Sequence, residues 1–212
     1  MIKAIGFDFD GTLIVSEKEK EKVMVATFSD VFGVSKGVKK CYISLRGVSR
    51  DDKFRKMVPK LIGRKVSVLE LKKLHSSFSK HYFNAMKSCP LMGCVSDLKK
   101  LKRKMKFMFI VSIEKQTDVK KLAKHCGISG YFDEILGGPI SKFDNIKHVL
   151  KKHHVDASEL MYVGDSPNDI LVSKQHKVKS VGLAKEKKKR NYLKKIGAHV
   201  TVKDLCRVGE LV

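Results

Sequence analysis

No run of apolar residues in this 212-residue sequence is long enough to cross a membrane. The longest, Phe107 to Val111, falls far short of the roughly 20 residues that a spanning helix needs. The N-terminus stays apolar for only a few residues before Asp8 and Asp10 interrupt it, so no secretory signal core is expected there. Cysteine is scarce. Its five copies are odd in number and include no Cys-x-x-Cys spacing, which argues against a zinc site or a disulfide framework and for a reducing, cytoplasmic setting. None of the eight histidines lies four residues from another, so no helix carries a paired imidazole site. Acids are also in short supply, at 22 against 45 lysines and arginines, for a formal net charge of +23. Nucleic-acid binding and steering of anionic substrates are the functional readings of that excess. The basic runs Lys99 to Lys104 and Lys185 to Arg190 lack the interleaved aromatics of a base-stacking platform. A lysine-rich solvated surface is therefore favoured over a nucleic-acid partner.

What is present is a folded composition, with 42% hydrophobic and 32% charged residues in regular alternation. Met1 to Phe9 reads as a buried strand ending in the turn Asp10-Gly11-Thr12. A helix is expected from about Ser16, its acids Glu17, Glu19 and Glu21 lying where the helix dipole favours them. From there to about Lys87 the pattern is helix after helix, one carrying Phe54, Met57 and Val58, another Leu74, Phe78 and Tyr82. Beyond Cys89-Pro90 the periodicity changes. Val95, Leu98 and Leu101 mark a short helix, and Phe107–Val111 a buried strand. Helix and strand then alternate through Val119–Ala123, Glu134–Leu136, Phe143–His153, Leu160–Val163, Asp169–Gln175 and Lys179–Gly182. Such alternation predicts an α/β fold, a Rossmann-like doubly wound parallel sheet covered on both faces. Residues 1–14 and 89–212 form the expected core, and residues 15–88 an inserted all-helical cap domain. An insert after the first strand's loop is expected over the carboxyl ends of the strands, where such sheets bind ligands.

Chemistry-bearing residues fall at those same strand ends. Asp8 and Asp10 flank Phe9 where the first strand stops, and Gly11 permits the sharp turn that follows. One carboxylate can attack phosphorus while the other gives a proton to the leaving oxygen. Ser112 follows the strand Phe107–Val111, where a hydroxyl and backbone N–H groups can hold a phosphoryl oxygen. Lys142 precedes a helix and can neutralise charge on phosphate. Asp165 and Asp169, in Gly164-Asp165-Ser166-Pro167-Asn168-Asp169, supply the hard oxygen ligands that Mg²⁺ prefers.

This ordered set, Asp-x-Asp-Gly-Thr, Ser after a strand, Lys, then Gly-Asp-Ser-x-x-Asp, resembles the haloacid dehalogenase-like phosphohydrolase superfamily. It is most similar to the branch of phosphoglycolate phosphatase and β-phosphoglucomutase, with a helical cap inserted after the first motif. The resemblance implies a Mg²⁺-dependent hydrolase acting on a small phosphorylated substrate through an aspartyl phosphate. Asp8 is then nucleophile and metal ligand, and Asp10 general acid/base with its carbonyl on the metal. Asp165 and Asp169 are further ligands, Ser112 and Lys142 hold the phosphoryl group, and Gly11 and Thr12 support the loop, Thr12 by a hydrogen bond near Asp10. Two positions depart from the family pattern: Ile113 stands where Asn is frequent, and Phe143 follows Lys142 where Pro is usual. In the insert, Leu45 to Asp52 resembles a cap segment in which an arginine matching Arg50 helps bind substrate phosphate, so Arg46 or Arg50 is a candidate. A phosphomutase is the first alternative, although Ser16 to Lys22 lacks the histidine of that branch. A nucleic-acid-end phosphatase and a non-catalytic nucleic-acid-binding protein are the others.

Overall fold

The computed structural model describes residues 1–45, 48–93 and 96–212. Arg46 and Val95, each named above, lie outside the described residues, as does Cys94. The chain divides into two compact units, residues 1–15 with 90–212, and residues 16–89.

The first unit is built on six parallel strands in the order β3-β2-β1-β4-β5-β6. These are β1 (Ala4–Phe7), β2 (Phe107–Lys115), β3 (Glu134–Gly138), β4 (Leu160–Gly164), β5 (Lys179–Leu183) and β6 (Val200–Val202). Between and after them run α5 (Ser96–Lys104), α6 (Gln116–His125), α7 (Lys142–Lys152), α8 (Pro167–Gln175) and α9 (Lys187–Lys195). Every residue of β1 and β4 is buried, as expected when helices cover both faces of a parallel sheet. One face packs Phe109, Val111, Leu160 and Tyr162 against Ile146 and Val149 of α7 and Val172 of α8. Each such side chain taken from water contributes about 1.5–3 kcal/mol. Leu193 anchors α9 in a second, smaller cluster with Ile170, Ala184 and Ala198.

The chain winds outward from β1 to β3 on one side, then resumes at β4 on the other. That reversal makes the crevice between β1 and β4 the topological switch point, the place where open α/β sheets present ligands. The register aligns the strand ends there. Phe7 lies level with Ile110 and with Val163, and the Asp8 amide still donates to the Val163 carbonyl at 2.8 Å. Asp8, Ser112 and Asp165 are therefore delivered within two residues of one line across the sheet.

The second unit holds α1 (Glu17–Phe32), α2 (Val38–Ile43), α3 (Arg50–Ile62) and α4 (Val68–Met86). Its core is aromatic: Phe28, Phe54, Phe78 and Tyr82 follow one another with ring centroids 5.8–6.3 Å apart. A capping box opens α4, in which the Ser67 hydroxyl accepts from the Glu70 amide at 3.3 Å and Glu70 accepts from the Ser67 amide at 2.9 Å.

Several elements differ from the expectation. The second strand runs on to Lys115, so Ser112 sits inside it, beside a register shift between Val111 and Lys115. A buried Glu114 hides the strand's continuation from an apolar-pattern reading. The basic run at Lys185–Arg190 enters a helix, α9, that Leu193 ties down. Cys41, Cys89 and Cys126 are free thiols. Among the described residues no helix is long and apolar enough to cross a membrane.

Candidate active site

Beyond Phe7 the chain leaves β1 through a tight turn, in which the amides of Leu13 and Ile14 both reach the Phe9 carbonyl and Gly11 N–H donates to the Ile14 carbonyl. Gly11 adopts φ +81°, a left-handed conformation that favours glycine. The same residue gives way to Asp165: a Cβ on Gly11 would lie 2.8 Å from the Asp165 carboxyl carbon. Gly164 serves Asp169 in the same manner, since a Cβ there would approach the Asp169 carboxyl carbon to 2.3 Å. Two glycines thus let two carboxylates close on the end of β1.

Asp8, Asp165 and Asp169 are all buried, and one oxygen from each falls within 4.8 Å of the others. Asp169 is fixed by the start of α8, whose Ser166 amide and hydroxyl donate to its Oδ2 at 3.0 and 2.6 Å. Lys142, the first residue of α7, is positioned by the Ser141 cap, whose hydroxyl accepts from the Asp144 amide at 3.1 Å. Its ammonium donates to Asp8 Oδ1 and to Asp169 Oδ1, both at 2.6 Å. Lys142 therefore bridges two carboxylates, in addition to any contact with phosphate.

The electrostatics follow from crowding these groups out of water. Burial pushes the Asp8 carboxyl up to about 8; Lys142 pulls against that shift, and the Asp169 and Asp165 charges add to it. For Lys142, burial acts to lower the pKa, but Asp169 and Asp8 outweigh it and hold the ammonium well above its ordinary value. Burial likewise raises the Tyr162 phenol, which donates to the Val111 carbonyl at 3.0 Å.

Ser112 is buried, and its Oγ accepts from the Glu114 amide at 3.1 Å. Asp10 is half-buried in the turn after Asp8. Thr12 is buried, and its hydroxyl has no hydrogen-bond partner among the described residues. Arg50 opens α3 in the helical unit, where its guanidinium lies 4.3 Å from the Phe78 ring centre and donates to Ser79 Oγ at 2.9 Å. One group escaped sequence reasoning. Lys189 of α9 places Nζ 2.6 Å from Asp165 Oδ2, and nothing in a run of consecutive lysines distinguishes it from its neighbours.

Comparison with known proteins bears on this constellation. The family model described as haloacid dehalogenase-like hydrolase matches residues 5–183, a span running from β1 through β5. The chain belongs to that family. Among curated relatives, a phosphoglycolate phosphatase of Vibrio parahaemolyticus is 37% identical over 81 residues, covering 36% of each chain. A phosphoglycolate phosphatase of Vibrio vulnificus is 40% identical over 62 residues, 27% of each chain. The chain thus spans about a third of the length of the curated relatives it matches. The structure of a predicted phosphoglycolate phosphatase from Haemophilus somnus superposes with a TM-score of 0.83 at 20% identity, covering 99% of this chain and 97% of the other. That of a haloacid dehalogenase-type hydrolase of Bacillus subtilis, solved bound to magnesium, gives 0.72 at 14% identity over 99% and 98% of the two chains. At these identities the likeness carries the fold.

An acidic cluster of this kind fits a hard divalent cation. It offers carboxylate oxygens only, three of them within 4.8 Å, with no sulfur or imidazole ligand in the group, and oxygen is the donor Mg²⁺ selects.

Proposed function

We propose that the protein is a Mg²⁺-dependent phosphatase that hydrolyses a small phosphorylated metabolite through a phosphoryl-aspartate on Asp8. The reading rests above all on one observation: Asp8, at the end of β1, shares a buried cluster with Asp165 and Asp169 and is gripped by the Lys142 ammonium at 2.6 Å.

Asp8, Asp165 and Asp169 would hold the cation, which when bound supplies Lewis-acid charge to the phosphoryl oxygens. The Asp8 carboxylate attacks phosphorus in line, forming a P–O bond as the bond to the leaving alcohol breaks. Asp10 gives that alcohol its proton, then takes one from the water that cleaves the acyl phosphate, so inorganic phosphate leaves and Asp8 is restored. Lys142 orients the nucleophile through Oδ1 and, with Ser112, shares the charge of the transferring group. Gly11 and Gly164 let the second and third carboxylates approach. The helical unit, inserted in the chain directly after this first motif, acts as the cap that selects the substrate, and Arg50 is its candidate phosphate contact.

Phosphoglycolate is the first compound to test, from the names of the curated relatives. The deciding experiment screens phosphorylated metabolites for phosphate release with Mg²⁺ and with chelator, in the intact protein and in Asp8→Asn. Mg²⁺-dependent turnover lost in the variant supports the reading, and appreciable turnover by Asp8→Asn overturns it. Phosphorylated oligonucleotides in the same screen address the nucleic-acid-end alternative that the +23 charge raises.

A further inference from the structure

The basic groups at the acidic cluster differ in kind. Lys142 has a side chain 4% exposed and sits between Asp8 and Asp169. Lys189 has a side chain 33% exposed and reaches Asp165 from a surface helix whose one buried residue is Leu193. The start of that helix is tied down next door, since the Arg190 guanidinium donates to the carbonyls of Ala184 and Lys185 at 2.8 and 2.6 Å. The Lys189 backbone is therefore anchored, whereas its partly exposed stem extends along the surface to the buried Asp165 carboxyl group.

We propose that Lys189 competes with a divalent cation for the Asp165 carboxylate and so sets the affinity of the cation site. The inference rests on the reading of Asp8, Asp165 and Asp169 as cation ligands. A divalent ion among those carboxylates brings two positive charges to a carboxylate whose Oδ2 the Lys189 ammonium already holds at 2.6 Å, and like charges at that range repel. Of the two partners, Asp165 is the one that cannot retreat. Its carboxyl is packed over Gly11, where a Cβ would meet both oxygens within 2.9 Å. The lysine yields because the incoming cation takes its place on Asp165 and its ammonium, on a side chain 33% exposed, is resolvated on leaving. Cation binding and release of Lys189 are then one event, and the lysine raises the cation concentration at which the site fills.

The test titrates Mn²⁺ by electron paramagnetic resonance, and Mg²⁺ by calorimetry, into the whole protein without substrate. Lys189→Met keeps the apolar stem and removes the charge, and should bind either ion about tenfold more tightly than the parent protein. Lys189→Arg should stay within about twofold of the parent, since it retains the charge. Lys188→Met, on the adjacent exposed residue, controls for general surface charge and should change little. The rise in Tm on adding Mg²⁺ should be larger in Lys189→Met than in the parent. Unchanged or weaker binding by Lys189→Met, or an equal gain in Lys188→Met, overturns the proposal while leaving the cation site in place. Absence of binding in the parent protein overturns both the site and the role of Lys189.

Discussion

The Lys142 ammonium sits 2.6 Å from Asp8 Oδ1, joining two residues 134 positions apart in the chain that are both almost wholly removed from water. Burial alone would neutralise either one. Held together, and with Asp169 completing the bridge, they set the Asp8 carboxyl group from β1 against an ammonium from α7. Removing Lys142 exposes what the bridge does. Lys142→Ala should destabilise the protein by about 3–5 kcal/mol, because the buried Asp8 and Asp169 carboxyl groups lose the ammonium that both of them bind. Denaturant unfolding at pH 7.5 in chelator measures it, and a loss as small as that of an exposed lysine would contradict this account.

Asp8→Asn should have opposite effects on activity and on stability. Turnover should fall by roughly 10⁴-fold or more, as expected when a covalent nucleophile is removed. Stability should rise at high pH. The Asp8 carboxyl titrates at about 8 in the fold against 3.8 as its ordinary value. Its protonated form is thus the one the native state prefers, and the associated stability is complete below 3.8 and lost as pH rises through 8. An amide cannot ionise. In chelator, the Tm of Asp8→Asn should therefore exceed that of the parent by a margin that is small near pH 4 and widens towards pH 9. A margin constant across that range would mean that Asp8 ionisation does not oppose folding.

Gly164 tests whether the carboxylates need the close approach. A methyl there must displace the Asp169 carboxyl at 2.3 Å, which is held by Ser166 and Lys142 and cannot swing aside freely. Gly164→Ala should cost about 1–3 kcal/mol by overpacking and weaken Mg²⁺ binding as well. Gly130→Ala, where a Cβ meets nothing within 4 Å, should stay within about 0.5 kcal/mol of the parent. Equal effects in thermal melts and metal titrations would remove Gly164 from the argument.

The residues legible in the sequence were those that end strands. Asp8 and Asp165 announce themselves because a buried apolar run stops at a carboxylate beside glycine, a pattern that a parallel sheet turns into a shared edge. The order β3-β2-β1-β4-β5-β6 then makes neighbours of strands far apart in the chain. Lys189 was not legible, because its helix buries only Leu193 and a lysine run gives the 3.6-residue period nothing to act on. The continuation of β2 through Ser112 to Lys115 was hidden for a related reason. Its Glu114 is buried by the fold around it, and hydrophobic patterning cannot foresee a buried acid. The three residues of β6, Val200–Val202, are too short to show an alternation at all.

The helical unit carries its own pH dependence at Glu70. Arg64 grips this carboxylate at 2.9 and 2.5 Å, and the Ser67 amide and hydroxyl both donate to it at 2.9 Å. The Arg64 hydrogen bonds, with those from Ser67, hold its pKa down at about 2 against an ordinary 4.5. The stability it contributes is full above 4.5 and is lost as pH falls towards 2. Glu70→Gln retains an acceptor for the Ser67 amide but no charge for Arg64. Its stability deficit should therefore be present at pH 7 and shrink progressively between pH 4.5 and 2. Far-ultraviolet circular dichroism melts across that range give the difference directly. A deficit that persists undiminished at pH 2 would place the contribution of Glu70 in its shape and hydrogen bonding, and not in its charge.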